Sequence, residues 1–413
     1  MSENMKFIIE SSSVPIYNRI ATAFAKTLME FGHTVHFIDA SGFNETDFVN
    51  TINGIEIDYY LSSNEQNVVQ KKSNSDDSFL FEKILTKLIF IHHDNLFSGC
   101  RSIKHIDSKL LALGNIGHRS HHFCLESSNV DLLKAAGIPN AIKINHASEF
   151  TAPPKESDAQ WGVTFIGHLM SSLHLYPADS VAGGQHLQVM AWNRFSQSCY
   201  AAQPCIEKIA NDPYVLATLG PDAIKNPLAT QQFLMAGLNK FSSPMRGQII
   251  STIKHHRVDI FGGDLSYGRI ADPLLILQQS NVHYQPATQN YQYACNIYQS
   301  SRINLNISSL QFDSAVNNRV FDVVLSGGFI LTDKRSDLID ACALADEISY
   351  DTPEEMNEKI SYYSDVTNNS KYIDLKMVIH DQFKSIYTYI NAVDYILNNI
   401  SSENSSNQFK QVP

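Results

Sequence analysis

With 413 residues the chain is long enough for two or three domains, and its 43% hydrophobic and 18% charged residues suit packed cores rather than a disordered chain. A formal charge of −11 argues against a sequence-independent grip on nucleic acid, which depends on clustered Lys and Arg along the phosphates. Six scattered cysteines (Cys100, Cys124, Cys199, Cys205, Cys295, Cys342) form no CxxC pair, so neither a zinc site nor a disulfide framework is expected.

The opening Met1-Ser2-Glu3-Asn4 has no basic leader and no run of about 18 apolar residues follows, so a cytoplasmic protein without a membrane span is expected. Lys6 to Glu10 reads as a strand, Ser11 to Tyr17 as a polar loop, Asn18 to Phe31 as a helix stopped at Gly32, and Thr34 to Ile38 as a strand. Ile20, Phe24 and Leu28, spaced by four, place one apolar stripe on that helix, which completes a βαβ unit. Ile55 to Leu61 and Lys87 to Ile91 read as further strands, the latter running into His92-His93-Asp94. A strand at His122 to Glu126, a helix at Ser128 to Ala136 and a strand at Ala141 to Asn145 close this half.

The polar segment Thr151 to Asp158 marks the boundary, giving an N-terminal domain over 1–155, a second over 156–385 and a last helix end with a polar tail over 386–413. After the strand Gly162 to Ile166 about ninety residues of mostly helical pattern precede the strand Val258 to Phe261, which predicts a helical insert over about 168–250. Strands and helices then alternate through Val282 to Tyr284, Tyr291 to Ser300, Ile303 to Ile307, Asn317 to Leu325, Gly328 to Thr332 and Thr352 to Tyr363, with one last helix over Tyr372 to Asn398. Two such blocks predict an α/β protein of two Rossmann-like, doubly wound parallel sheets with a cleft between them.

The segment Tyr298 to Asp333 joins a strand with alternating Asn304 and Asn306, a loop, a helix opening on Asn318-Arg319-Val320-Phe321-Asp322, and a Gly327-Gly328 stop before another apolar strand. Arg302, Leu305, Asn306, Arg319, Phe321, Asp322, Gly327, Gly328, Leu331, Thr332 and Asp333 resemble the recurring pattern of the glycosyltransferase-like family named after the spore proteins CgeB and YkvP. The likeness extends to Phe165-Ile166-Gly167, Phe261-Gly262-Gly263 and the helix after Tyr350. It implies the GT-B fold, with a nucleotide-diphosphate sugar as donor substrate, no other cofactor and no metal, and a transferase acting on an acceptor that the residues do not identify. Asp322 stands where the family more often has Glu, and the upstream carboxylate of related transferases falls at Ser314, beside Asp313.

A diphosphate needs a cation and helix N-terminal N–H groups, and a ribose diol needs a carboxylate. Arg319, Asn318 and Asp322 with Gly262, Gly263, Gly327 and Gly328 are therefore the donor-binding candidates. An i, i+3 ion pair between Arg319 and Asp322 is the competing structural reading. His92, His93 and Asp94 are the catalytic candidates, because transfer with inversion needs a general base for the acceptor hydroxyl. Adjacent His side chains on an extended chain point apart, which disfavours a shared metal. Ser12, Ser13 and Tyr17 are the acceptor-side candidates. The first βα turn, Glu10-Ser11-Ser12-Ser13-Val14-Pro15, lacks G-x-G-x-x-G and so argues against a nicotinamide enzyme. A GT-B-like protein that binds nucleotide or sugar without catalysis is the alternative, with Ser314 as its best support.

Overall fold

The computed structural model describes residues 4–407, apart from 13, 64–66, 77, 98–99, 101, 156–158, 168–209, 239–241, 263–278, 287 and 289. Part of the expected insert (168–209), Ser13, Gly263 and the end of the tail (408–413) therefore lie outside the described residues. The chain forms two compact units, Met1–His146 with Asp222–Ala236 and Tyr389–Pro413, and Ala147–Pro221 with Gly237–Thr388.

The first unit is a parallel sheet of β1 (Lys6–Glu10), β2 (Thr34–Ile38), β3 (Tyr59–Ser62), β4 (Lys87–His92), β5 (Ser120–Cys124) and β6 (Ala141–Lys143), in the order β2-β1-β3-β4-β5-β6. Its first helix begins at Pro15, earlier than the apolar stripe alone predicts, because proline's fixed φ suits the first helical position. Ile20, Phe24 and Leu28 are buried as the spacing of four requires, and Gly32 turns the chain at φ 89°. The helix Glu45–Gly54 was not legible in the sequence, since only Phe48 and Ile52 are buried on it. Consequently β3 starts at Tyr59 rather than Ile55.

The second unit is a parallel sheet of β7 (Trp161–Ile166), β8 (Val258–Phe261), β9 (Val282–Gln285), β10 (Ser301–Asn306), β11 (Ile330–Asp333) and β12 (Ser349–Tyr350), in the order β12-β11-β10-β7-β8-β9. Within the expected insert, prolines at Pro213, Pro221 and Pro227 each open a helix (Pro213–Leu219, Pro221–Lys225, Pro227–Leu238), and Ser242–Ser251 follows. Asn304 locks the sheet from inside: it accepts from Thr164 Oγ1 at 2.9 Å and donates to the carbonyls of Tyr298 (3.0 Å) and Phe329 (3.1 Å). The single helix expected over Tyr372 to Asn398 is two, Asn369–Lys384 and Tyr389–Asn407. Between them Tyr387 packs its ring 4.9 Å from Phe321 and accepts from the Ser148 amide, so tertiary contacts bend a segment whose periodicity runs on.

Gly327 and Gly328, expected at the donor, instead close the C-terminal end of the helix Asn318–Leu325. Their amides return to the Val324 and Val323 carbonyls, and Gly327 is left-handed at φ 81°. An added Cβ would stand 2.6 Å from the Pro153 carbonyl at Gly327 and 2.6 Å from that of Tyr298 at Gly328, so close backbone packing is what these glycines serve. Gly327→Ala should therefore lose about 1–3 kcal/mol of stability. A urea midpoint equal to that of the parent protein would refute this.

Candidate functional site

In a doubly wound sheet the ligand crevice opens past the strand ends where winding reverses. In the second unit the reversal falls between β7 and β10, beyond Ile166-Gly167 and Asn306. Arg319 sits there. Its guanidinium lies 5.1 Å over the Phe165 ring and donates to Asn306 Oδ1 at 2.6 Å, and a hydrogen bond with Tyr298 adds a third anchor. Gly167 leaves it room, since a Cβ there would come within 3.0 Å of Arg319 Nη2.

Asn317 caps the helix Asn318–Leu325 by accepting from the Arg319 amide at 3.0 Å, and Asn318 is the first helical residue. A cation in the first turn opposes the helix dipole. Burial also disfavours its charge and pushes the guanidinium below its usual value, against the fields of Tyr298, Asp322 and Asp333. An anion placed against Arg319 at the helix N-terminus relieves both costs. The i, i+3 ion pair is not what forms, because Arg319 bonds to Asn306 and Tyr298 while Asp322 acts on it only through its field. Asp322 is 1% exposed, accepting from Ser148 Oγ at 2.6 Å and from Tyr291 Oη at 3.2 Å. It anchors the helix to its own unit, and solvent does not reach it.

The loop between β10 and this helix is braced on several sides. Asp333 accepts from the Ser308 amide at 2.8 Å and pairs with buried Arg335, which also donates to the Phe312 carbonyl at 2.9 Å. Tyr350 Oη holds the Asn306 carbonyl at 2.8 Å, and Arg246 Nε holds that of Ile307 at 2.9 Å. Arg246 thus brings a second cation to the end of β10 from a helix about sixty residues upstream; no local signal in the insert marks it. Gly262 follows β8 at the same edge of the sheet and is buried. Ser314 is tied to Asp337, with Oγ 3.3 Å from its carboxylate.

In the first unit the three catalytic candidates part ways. His92 ends β4 and is 1% exposed, stacked on His122 with Nε2 3.1 Å from His122 Nδ1. His93 is buried too, its ring 5.4 Å from that of His146 and both nitrogens without a hydrogen-bond partner. Desolvation by burial, with a smaller effect of His92, lowers its pKa to about 3, so the ring is neutral at physiological pH. As catalytic candidates the two histidines are corrected, because both are buried against His122 and His146 and neither ring stands open past the strand end. Asp94 alone stays half-buried, and Tyr17 Oη donates to its carboxylate. The fold thus joins a catalytic and an acceptor-side candidate 77 positions apart. Ser12 Oγ accepts from the Val14 amide at 3.2 Å and serves the turn into the first helix. Among the described residues no group of three or more His, Cys, Asp and Glu could hold a metal ion, and no helix is long and apolar enough to cross a membrane.

Residues 246–398 match the family model described as glycosyl transferase-like. The fold covers whole glycosyltransferase structures: 96% of the chain superposes on 99% of a DNA-modifying β-glucosyltransferase (TM-score 0.53, 11% identity). Against Alr3699/HepE of Anabaena, in complex with UDP and glucose, 97% of the chain covers 100% of that protein (TM-score 0.55, 10% identity). The β-glucosyltransferase of phage T4 with UDP-glucose is similar at TM-score 0.51 and 12% identity, over 96% and 99% of the two chains. The fold is GT-B. The match of 246–398 begins at Arg246 and takes in β8 to β12, so the glycosyltransferase-like part of this GT-B chain includes Asn306, Arg319 and Asp333. No curated protein matches the chain, and the finer likeness to the CgeB and YkvP group is neither supported nor opposed by these comparisons.

Proposed function

We propose that the protein is a glycosyltransferase that takes a sugar from a nucleotide-diphosphate donor. The observation that carries this is Arg319 at the winding reversal of a GT-B second unit, beside a helix N-terminus. In this reading Arg319 and the N–H groups around Asn318 hold the diphosphate, Arg246 adds positive field, and Gly262 lets the chain pass close to the donor. These groups stabilise the leaving diphosphate without a metal. Asp94, oriented by Tyr17, is the general base for the acceptor hydroxyl, while His92 and His93 support the strand end.

The test is a panel of nucleotide sugars, beginning with UDP-sugars, read first by thermal shift and then by nucleoside diphosphate release. Ligand at a hundred times its dissociation constant stabilises by about 2.7 kcal/mol, which a melting curve resolves. At least one donor should stabilise the protein and release its diphosphate when the acceptor is supplied. Stabilisation without release under any acceptor would favour the non-catalytic binding protein, for which Ser314 in place of an acidic residue speaks. No stabilisation by any nucleotide sugar or nucleoside diphosphate would remove the reading.

A further inference from the structure

A cavity of about 580 Å³ opens in the second unit at the starts of its strands, lined by Trp161 of β7, Arg302 of β10 and Tyr372 and Lys376 of the helix Asn369–Lys384. Arg319 stands at the opposite edge, roughly 17 Å away along a six-residue strand, so the cavity is separate from the candidate donor site.

Its lining is cationic. Lys155, Arg302 and Lys376 have no carboxylate partner among the described residues, whereas Arg257 at the rim is paired with Asp259 at 2.8 Å. Lys376 is 6% exposed; its ammonium reaches the Lys155 carbonyl at 3.4 Å and lies 5.9 Å over the Tyr372 ring. Arg302 lies 3.8 Å over the Tyr372 ring and donates to the Tyr363 carbonyl (2.6 Å) and to Asn369 Oδ1 (2.7 Å), while its Nη2 is buried without a partner. Every acceptor offered to these cations is neutral. Burying charge without a counterion is costly, and in a chain of net charge −11 carboxylates are not scarce. Desolvation by burial, then Arg302, lowers the Lys376 pKa to about 8, as expected of an ammonium that lacks its anion.

The geometry points to an anion site in which Lys376, Arg302 and Lys155 bind a phosphate dianion, free or carried by a small metabolite. Three cationic residues lining one cavity suit a group with several charged oxygens, and the cavity has space for more than the phosphate itself. The site does not depend on the reading of Arg319.

Calorimetric titration of the full chain with ribose 5-phosphate and, separately, inorganic phosphate tests this. Saturable binding is expected, weakened about tenfold or more in Lys376→Met, because a charge-assisted contact is lost. The same variant should melt no lower than the parent, since it replaces an unpaired buried charge by an apolar chain of similar length. Lys155 is exposed, so Lys155→Gln keeps the fold in any case and should weaken binding by a smaller factor. Arg319→Gln should leave this affinity in place. Tighter binding of the ester than of the free ion assigns the site to a phosphorylated metabolite, and equal binding to the ion. The proposal is overturned by absence of saturable binding at millimolar concentration, by equal affinity in the parent, Lys376→Met and Lys155→Gln, or by loss of binding on Arg319→Gln alone.

Discussion

Asp94→Asn should lower turnover by about 10² to 10⁴ while donor affinity stays within a few-fold, because the amide keeps the shape of the side chain and loses its capacity to take a proton. Asp94 is singled out by its surroundings. It follows β4, is half-buried where its two histidine neighbours are covered, and receives the Tyr17 hydroxyl. His93 is the poorer candidate, since its ring is buried against His146 and an acceptor hydroxyl does not reach it. Tyr17→Phe should cost less than Asp94→Asn, as it loosens the carboxylate without removing it. The check is single-turnover kinetics once a donor and acceptor are known. Turnover of Asp94→Asn equal to that of the parent would exclude the carboxylate as base.

Arg319→Ala should weaken nucleoside diphosphate and donor by about ten- to hundredfold and leave the bare nucleoside almost unaffected, since a charge-assisted hydrogen bond contributes roughly 1.5 to 3 kcal/mol. The fold should tolerate the change. Its partners are the neutral Asn306 and Tyr298, and an arginine pushed below its usual pKa by burial carries a desolvation cost that the variant removes. Asp322→Asn should act differently. Its oxygens meet Ser148 and Tyr291, so the change should lower stability first and affect nucleotide and nucleoside alike. Titration calorimetry separates these outcomes, and a diphosphate affinity unchanged in Arg319→Ala would remove the donor site proposed here.

Much of the fold was legible along the chain because parallel strands buried on both faces leave apolar runs, and helices against them leave stripes. β1, β2, β4, β7, β8 and β10 fall within a residue or two of those runs, and so the two parallel sheets follow, while the GT-B assignment comes from the family resemblance. Glu45–Gly54 leaves little apolar periodicity because it buries only two side chains. The break before Tyr389 has no local signal because the contact beside it, Tyr387 on Phe321, joins residues far apart in sequence.

Residue types at strand ends and helix starts are local facts, and they place Arg319 and Asn318 in the first turn of a helix and Asp94 just past the end of β4. What a side chain faces is not local. Only the packed structure separates half-buried Asp94 from covered His92 and His93, assigns Gly327 and Gly328 to backbone packing instead of the donor, and turns Asp322 toward Ser148 and Tyr291. It also brings Arg246 to Ile307 and Tyr17 to Asp94. The physical reason is common to all of these: periodicity records how much of an element is buried, whereas a polar side chain's role depends on the partner that burial forces it to find, and that partner lies elsewhere in the chain.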